Sequence, residues 1–432
     1  MPPGFHLLIA AQFASALADN ALLIVAIALL QEQGLPGWWA PLLKFGFTLS
    51  YVLLAPFVGP LADTFPKARL MAWMNGLKML GVLGLLAGLH PIAAFTIIGF
   101  GAAAYAPAKY GLVTEMVCAQ ALVKANAWIE VSVVFAALAG MVLGGLLVSP
   151  ALLGSELIHH AGQGLQGLAD AGFIQGSRLS VSMVALMGVY LAASLLNIGI
   201  PDSGARYPTA HLHLPALLRD FWRANLTLWR DREGGLSLAV TTIFWGVGAT
   251  LQFAVLRWAA YVLGLALDRA AFLQAAVAVG VIAGAALAGH KVPLAAAKRM
   301  LVFGVALGLL IPAVGLTHHL SVTLPLLVLV GVVGGLLVVP LNALLQHRGF
   351  VLLSAGRSVA VQGFNENASV LGMLGTYAAL LALDLPITTV MVGFGLCIAA
   401  AMALLMRRER KRSRQDQQER QEALRPPAAL SP

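Results

Sequence analysis

Long apolar segments recur along the whole chain, and each is long enough to cross a bilayer as a helix. A transmembrane helix needs ~20 apolar residues. Twelve such segments can be placed, at 6–30, 42–61, 70–89, 92–113, 126–148, 179–200, 236–262, 270–289, 300–316, 323–345, 358–382 and 387–406. Charged residues make up only 10% of the chain, against about 25% in soluble domains. Because the runs are too long for barrel strands and do not alternate, the sequence predicts an all-α polytopic membrane protein.

The basic residues are distributed unevenly between the two ends of these segments. If both termini are cytoplasmic, 22 of the 27 lysines and arginines lie on the cytoplasmic side, and only Lys44, Arg178 and Arg269 lie on the outer side. An excess of lysine and arginine in cytoplasmic loops sets the orientation of membrane proteins. Topology therefore explains the net charge of +9. No basic soluble domain remains that would bind nucleic acid.

The chain divides into two sets of six apolar segments. We expect an N-terminal bundle over 1–200, a cytoplasmic linker over 201–235, a C-terminal bundle over 236–406 and a basic cytoplasmic tail over 407–432. Two bundles joined by a long central loop are typical of transporters with a pathway between the bundles. The connection at 150–178 is expected on the outer side, and the charged tail is expected to be disordered.

The linker contains an amphipathic stretch at 214–229. Its apolar residues are Leu217, Leu218, Phe221, Trp222, Leu226 and Trp229, and its arginines are Arg219, Arg223 and Arg230. A helix with an aromatic, apolar face and a basic face lies in the membrane interface. We therefore expect the apolar side chains in the inner headgroup layer and the arginines beside anionic membrane lipid.

Two of the apolar segments carry a stripe of polar side chains. On the first segment Gln12, Ser15 and Asp19 fall at i, i+3 and i+7 on one helix face, with Asn20 next to Asp19. In the motif VAVQGFNENASVL the corresponding stripe is Gln362, Asn365, Glu366 and Ser369. Tyr105 and Lys109 are four residues apart on the fourth segment. Ionisable residues at membrane depth usually face a bundle interior or a cavity, so we interpret these side chains as the lining of a central polar cavity.

A purely structural network of ion pairs is the alternative to a cavity. Lys78, in NGLKML, is expected to reach the interface with its long side chain or to form a structural pair. Glu130 lies near the start of its segment, where a pair with Lys109 or Lys124 fits as well as a functional role.

The loop GPLADTFPKAR, at 59–69, resembles the loop between the second and third helices of major facilitator transporters. Gly59, Asp63 and Arg69 stand at the positions of that signature, whereas Thr64 and Pro66 depart from it. In that family the aspartate caps a helix and forms charge contacts that hold one gated state. The resemblance therefore implies a gating role for Gly59, Asp63 and Arg69.

Several longer stretches resemble the LplT-type lysophospholipid transporters of Gram-negative inner membranes. They are AQFASALADNALL, PFVGPLADTFPKAR, NGLK, GAAAYAPAKYG, LVKAN, FWGVGATL, VVPLNALLQHRG and VQGFNENAS. The resemblance covers nearly the whole chain except 150–178 and the tail. It implies movement of lysophospholipids, chiefly lysophosphatidylethanolamine, from the outer to the inner leaflet. An acyltransferase/acyl-carrier-protein synthetase would then reacylate them, and Asp19 would line the headgroup pathway.

Such a substrate fits the polar residues. Carboxylates such as Asp19 and Glu366 suit an ethanolamine ammonium, and Lys109 suits a phosphate. In these transporters an arginine follows the Gly-x-Thr-Leu element of the seventh helix, whereas this chain has Gln252 there and Arg257 five residues later. We expect Gln252 to remain on the cavity face as a hydrogen-bonding group. Arg257 is expected either to meet the phosphate at the outer entrance or to anchor the helix at the lipid interface.

Two rival functions remain at this stage. A proton-coupled facilitator of another small amphiphile or drug is compatible with the same carboxylates, since burial can raise a carboxyl pKa into the working range. A membrane enzyme such as a lipid acyltransferase is disfavoured, because no histidine is followed five residues later by aspartate. The sequence has no phosphate-binding loop for ATP, and its adjacent histidine pairs lack the spacing of a metal site. We therefore expect no cofactor and no metal.

Overall fold

The computed structural model of the protein describes residues 2–35, 39–174, 176–205, 207, 213–265 and 267–423. These residues form fifteen α-helices and two short 3-10 helices, at Ala119–Ala121 and Leu294–Met300. In chain order, α1 to α15 are Pro3–Glu32, Trp39–Thr64, Lys67–Leu86, Pro91–Met116, Leu122–Leu147, Pro150–Leu153, Glu156–Asp170, Ser180–Ile198, Leu214–Arg230, Arg232–Val262, Leu267–Lys291, Leu301–Gly315, Leu320–Leu352, Ala355–Ala382 and Ile387–Ala423. No strand occurs within the described ranges, and the all-α fold class is confirmed.

The twelve apolar segments correspond to α1–α5, α8 and α10–α15. Ten of the described helices are both long and apolar enough to cross a bilayer. The other two, α3 and α14, span 20 and 28 residues and are long enough. They are less apolar because α3 carries Lys67, Arg69 and Lys78 and α14 carries the polar stripe. Both pack against neighbouring helices, α3 on α4 and α8 and α14 on α2 and α10. The chain is therefore a multi-pass membrane protein.

The two sets of helices have separate apolar cores over much of their length. One core is built from residues between 18 and 190, and another from residues between 236 and 402. A third core mixes the two sets, because Ala62 and Ala127 pack in one cluster with Ala288 and Val339. These residues lie near the helix ends that the basic residues predict to be cytoplasmic. Within the described residues, the two sets are thus joined at this end.

Helix α9 lies against the same end of the molecule. The amphipathic stretch forms a helix at Leu214–Arg230, as its pattern predicts. Leu217 and Phe221 are buried, and the Phe221 ring lies 5.2 Å from that of Phe364 on α14. These two side chains therefore pack on protein and not in the headgroup layer, where the sequence had placed them. Trp222 remains exposed. Residues 208–212 of the linker lie outside the described residues.

The turn between α9 and α10 is fixed by Asp231. Its carboxylate accepts a hydrogen bond from the Gly234 backbone N–H at 2.8 Å, which caps α10, and another from Arg348 Nη2 at 2.6 Å. The hydrogen-bonded Arg348 guanidinium holds the pKa of the Asp231 carboxyl below its usual range. The linker is thereby attached to the end of α13.

The connection at 150–178 is partly helical and contains α6 and α7. Helix α7 begins after Ser155, whose Oγ accepts from the Ile158 backbone N–H at 3.4 Å. It contacts α8. The end of the connection is held to α1, because Ser177 Oγ donates to Glu32 Oε2 at 2.8 Å.

The first part of the basic tail continues helix α15. This helix runs to Ala423, so the expected disorder is wrong for 407–423. Acidic residues in the extension hold it to the C-terminal helices. Glu409 lies 3.2 Å from Arg232 Nη2 and 3.3 Å from Lys298 Nζ, and Asp416 also pairs with Arg232. Residues 424–432 of the tail lie outside the described residues.

Candidate substrate-binding site

A cavity of 260 Å³ lies among α1, α2, α3 and α4. Its polar lining consists of Gln12, Ser15, Asp19, Asn20, Lys44, Tyr51, Lys78, Tyr105 and Lys109. The structure thus brings together four of the residues that the sequence assigns to substrate binding, namely Asp19, Asn20, Tyr105 and Lys109. The spacing on α1 accounts for part of this arrangement, since positions 12, 15 and 19 share one helix face.

Asp19 is held by two short contacts inside this cavity. Its Oδ2 lies 2.7 Å from Lys78 Nζ, and the Tyr190 hydroxyl donates to its Oδ1 at 2.7 Å. The Lys78 ammonium also donates to Ser15 Oγ at 3.0 Å, and Ser15 Oγ donates to Asn75 Oδ1 at 2.8 Å. The Asp19 side chain keeps 18% of its surface exposed, whereas Lys78 is buried. A ligand in the cavity can therefore reach the carboxylate but must share it with Lys78.

Lys78 is the residue whose role the sequence indicated least clearly. The structural pair foreseen for it exists, and its partner is the carboxylate of the predicted headgroup pathway. In the sequence, the only indication of a functional role for Lys78 was its place in the NGLK stretch, which is part of the family resemblance. Removing one partner of a buried ion pair is costly, so the pair stabilises the contact between α1 and α3.

Among the described residues, Lys109 has a neutral hydrogen-bond partner and no ion pair. Its Nζ donates to Gln12 Oε1 at 3.1 Å and lies 4.2 Å from the centre of the Tyr110 ring. Gln12 in turn donates to Ser132 Oγ at 2.9 Å. The buried Glu130 is close enough to interact electrostatically with Lys109. Within the described residues, no carboxylate lies within 4.0 Å of the Lys109 ammonium.

Lys44 adds a third cation to the cavity. Among the described residues its ammonium has no hydrogen-bond or ion-pair partner, although Lys44 belongs to the lining. The lining thus carries three lysines against the single carboxylate of Asp19. An excess of positive charge in a cavity attracts an anionic group and strengthens its binding where water is excluded. The arrangement suits a ligand with a phosphate.

Asn20 and Tyr105 complete the polar lining near Asp19. The Asn20 side chain donates to the Ala16 backbone oxygen at 2.8 Å, which leaves its amide oxygen available to a ligand. The Tyr105 ring centre lies 5.3 Å from Lys78 Nζ. A cation beside an aromatic face is attracted by the ring, so Tyr105 supports the position of Lys78.

The polar stripe of α14 lies in a different environment. Gln362 Nε2 donates to Asn342 Oδ1 at 2.5 Å and to Glu366 Oε1 at 2.8 Å. Asn365 donates to Asn225 Oδ1 at 2.8 Å and accepts from Trp229 Nε1 at 3.1 Å, which attaches α14 to the linker helix α9. None of these stripe residues belongs to the lining of the α1 cavity. The structure does not bring the two stripes into one cavity.

Gln252 and Arg257 also lie away from the cavity. Both are exposed on α10. The backbone oxygen of Gln252 accepts from Gln274 Nε2 at 2.9 Å, and the Arg257 guanidinium lies 5.2 Å from the centre of the Tyr261 ring. These two positions therefore do not join Asp19 in the conformation described.

The Asp63 side chain on α2 joins the N-terminal set of helices to α14 of the C-terminal set. Its Oδ1 accepts from the Gly356 backbone N–H at 2.9 Å, and Ser354 donates to its Oδ2. These bonds lie at the first turn of α14, where backbone N–H groups lack helical partners. A Cβ built on Gly59 would lie 3.0 Å from Arg357 Cα, so the absence of a side chain at Gly59 allows this close contact.

Arg69 is not part of this contact, whereas its neighbour Lys67 is close to it. Arg69 is exposed and has no ion-pair partner in the described part of the chain. Lys67 Nζ lies 2.6 Å from Glu115 Oε1, and both side chains are nearly fully buried. The Glu115 carboxylate also accepts from Tyr207 at 2.9 Å. Lys67 therefore connects α3 with α4 and with the start of the linker.

A second set of contacts between the two sets of helices was missed from the sequence. Asn126 on α5 donates to Gln346 Oε1 at 2.9 Å and accepts from Gln346 Nε2 at 3.0 Å. Asn342 Nδ2 also donates to Asn126 Oδ1, at 3.3 Å. The sequence feature that indicates such contacts is the presence of Asn126, Asn342 and Gln346 in otherwise apolar helix ends, because buried amides need hydrogen-bond partners. Together with Asp63 they hold the predicted cytoplasmic end closed.

Comparison with known proteins identifies the family of this chain. The family model of the Major Facilitator Superfamily matches residues 8–374. The lysophospholipid transporter LplT of Citrobacter koseri is 40% identical over 394 residues, which are 91% of this chain and 92% of that protein. The LplT of Escherichia coli O1:K1 / APEC is 39% identical over 400 residues, 92% of this chain and 94% of its own.

Solved structures agree with these relationships at the level of the fold. The human organic anion transporter MFSD10 aligns with a TM-score of 0.69 at 15% identity, covering 93% of this chain and 100% of its own. The major facilitator transporter FucP in its outward conformation aligns with a TM-score of 0.68 at 18% identity, covering 93% and 97%. With the fold, the family model and relatives similar over almost their whole length in agreement, this chain belongs to the LplT family of the major facilitator superfamily.

Proposed function

We propose that this chain moves lysophospholipids, chiefly lysophosphatidylethanolamine, from the outer to the inner leaflet of a bacterial inner membrane. The names of its relatives support the substrate class. The cavity chemistry supports it independently, since a lysophospholipid headgroup carries a phosphate that lysines bind. The relatives' names also support a transporter and not an enzyme. An acyltransferase/acyl-carrier-protein synthetase would use the lysophospholipid after transport.

The observation that carries this proposal is the surplus of cations in the α1 cavity. Among the described residues Lys44 has no hydrogen-bond or ion-pair partner, and Lys109 forms a hydrogen bond to Gln12 but no ion pair. Lys109 would bind the phosphate inside the cavity, and the exposed Lys44 would attract it. The headgroup ammonium would approach the exposed part of Asp19 and compete with Lys78. Lys78 would then be released toward the phosphate, so that binding replaces one ion pair with two.

The closed end supports the direction of movement. Asp63 and the Asn126 amide join the two sets of helices at the predicted cytoplasmic end. Away from this end, each of the two large cores contains residues of one set of helices only. This separation supports access to the cavity from the outer end. In alternating access the substrate would enter from the outer leaflet and leave after these inner contacts break, with Gly59, Asp63 and Arg69 as gating residues.

The remaining sequence-derived residues are proposed for other stages of the same path. Gln362, Asn365 and Glu366 would meet the headgroup only after the inner contacts have broken. Gln252 and Arg257 would contact the substrate at the outer entrance.

Transport of labelled lysophosphatidylethanolamine into the inner leaflet of proteoliposomes tests the proposal. The wild-type protein should move the label, and Lys109→Gln should slow this by about tenfold or more, the effect of one charged hydrogen bond. Lys411→Gln, which removes an exposed lysine of the α15 extension, is the matched control and should transport normally. The proposal is wrong if the wild-type protein leaves the label in the outer leaflet. Loss of transport after addition of a protonophore would favour the proton-coupled alternative.

A further inference from the structure

A second cavity lies at the predicted cytoplasmic surface. It is formed by residues of the C-terminal set of helices and shares no lining residue with the α1 cavity. It has a volume of 560 Å³, which is in the range of small-molecule sites. It is formed by the 3-10 helix before α12, by the start of α12 and by the extension of α15. Its lining includes Lys298, Arg299, Val302, Met406, Arg410 and Arg414.

The charges of this cavity are only partly balanced by the protein. Lys298 lies 2.8 Å from Glu233 and 3.3 Å from Glu409, so its charge is compensated. In contrast, Arg299, Arg410 and Arg414 are exposed and have no hydrogen-bond or ion-pair partner among the described residues. Three guanidinium groups therefore face one cavity without a counterion from the protein. Guanidinium groups bind phosphate in a bidentate manner.

The cavity lies where two apolar helices meet the membrane surface. The apolar part of α15 ends at Met406 and is followed by Arg407, and α12 begins at Leu301 directly after the basic 3-10 helix. The Val302 side chain is 48% exposed. The arginines of the cavity thus lie at the level of the lipid headgroups, and its apolar residues lie at the level of the first acyl-chain carbons. Basic pockets between membrane helices on the cytoplasmic side bind anionic headgroups.

We propose that this cavity binds an anionic phospholipid of the inner leaflet, such as phosphatidylglycerol or cardiolipin. Arg299, Arg410 and Arg414 contact its phosphate, and its acyl chains lie along Val302 and Met406. A zwitterionic lipid fits less well, because its ammonium would face the same three arginines. The bound lipid joins the α15 extension to the start of α12. This site is separate from the transport cavity and holds a resident lipid, not the transported one.

A pair of double variants on α15 tests the site. Arg410→Gln/Arg414→Gln removes two arginines of the cavity. Arg408→Gln/Arg412→Gln is the matched control, because these residues lie two positions from Arg410 in either direction and so about 160° around the helix. All four side chains are exposed, so each double variant should fold. Binding is measured by native mass spectrometry and by thermal unfolding of the full-length protein in detergent with added cardiolipin, phosphatidylglycerol, phosphatidylethanolamine or inorganic phosphate.

Cardiolipin and phosphatidylglycerol should bind to the wild-type protein and the control and should raise their unfolding temperature. The Arg410→Gln/Arg414→Gln variant should bind them about tenfold or more weakly, with its unfolding temperature without lipid unchanged. Arg299→Gln, on the other side of the cavity, should weaken the same lipids. Equal weakening in both double variants, equal binding of phosphatidylethanolamine, or equal stabilisation by inorganic phosphate would each overturn the proposal.

Discussion

The polar stripes of α1 and α14 have similar sequences but different surroundings. On α1, Gln12, Ser15 and Asp19 line a cavity that also contains three lysines. On α14, Asn365 is bonded to the linker helix, and Gln362 is bonded to Glu366 and to Asn342. On α1 only Asp19 is partly exposed, and it opens into the cavity. On α14, Gln362 and Asn365 are bonded to residues at the predicted cytoplasmic end. Similar spacing on a helix therefore identifies a polar face without identifying what that face contacts.

The largest effect is expected from breaking the pair on the α1 side. Asp19→Leu leaves the Lys78 ammonium buried without a counterion, which should lower the free energy of unfolding by about 3–5 kcal/mol. Replacing both partners, in Asp19→Leu/Lys78→Met, should restore most of this stability because no unpaired charge remains. Thermal unfolding of the purified variants measures the difference.

Transport by the same variants separates stability from function. The double variant should remain unable to move lysophosphatidylethanolamine although it is stable, since it lacks the carboxylate for the headgroup. Normal transport by the stable double variant would show that the pair on α1 is only structural.

The next effect concerns the closed end, where α14 begins. A Cβ at Gly356 would lie 2.6 Å from the Gly59 backbone oxygen and 2.7 Å from Asp63 Oδ1. Gly356→Ala should therefore destabilise the closed contact by about 1–3 kcal/mol and shift the population toward an inward-open state by about 5- to 150-fold. Gly372→Ala on the same helix is the control, because nothing lies within 4 Å of a Cβ there.

A cysteine at the buried Ala360 reports on this shift. In a background without Cys118 and Cys397, Ala360→Cys should react faster with a water-soluble maleimide when Gly356→Ala is present. Equal labelling rates with Gly356→Ala and Gly372→Ala would mean that the α2–α14 contact does not control access.

A smaller effect is expected for the attachment of α14 to the linker. Asn365→Ala removes the two hydrogen bonds to Asn225 and Trp229, each worth about 0.5–1.5 kcal/mol. The linker helix α9 should then be cleaved more readily by trypsin at its exposed arginines. Asn367→Ala is the control, since among the described residues the Asn367 side chain bonds only to the Gly363 backbone oxygen of its own helix. Unchanged cleavage in Asn365→Ala would mean that the apolar contacts between α9 and α14, and not these hydrogen bonds, hold α9 in place.

The smallest effect is expected at Arg257. Its guanidinium rests on the exposed Tyr261 ring, a contact worth about 0.5–1 kcal/mol at an exposed site. If Arg257 meets the phosphate at the entrance, Arg257→Gln should raise the KM for lysophosphatidylethanolamine, and Arg257→Lys should preserve it partly. Wild-type kinetics in both variants would leave Arg257 as an interfacial anchor.

The sequence predicted the helices and the polar face of α1 because both follow from local patterns. It predicted one central cavity lined by both stripes, whereas the α14 stripe lies outside the α1 cavity. Apolar length and the spacing of residues 12, 15 and 19 are properties of single helices. The partner of Lys78 and the amide contacts of Asn126 depend on which helices become neighbours, and no single segment contains that information. The helical tail was missed for a similar reason, since Arg232 and Lys298 are far from Glu409 in the chain.

In the proposed transport cycle, the α1 cavity binds the headgroup before the α14 stripe meets it. The most direct measurement is the Kd of lysophosphatidylethanolamine for Lys109→Gln and Glu366→Gln, set beside the transport rate of each variant. Lys109→Gln should weaken binding by about tenfold or more. Glu366→Gln should bind within about twofold of wild type while transporting more slowly. Equal loss of binding in the two variants, or loss only in Glu366→Gln, would contradict this order of binding.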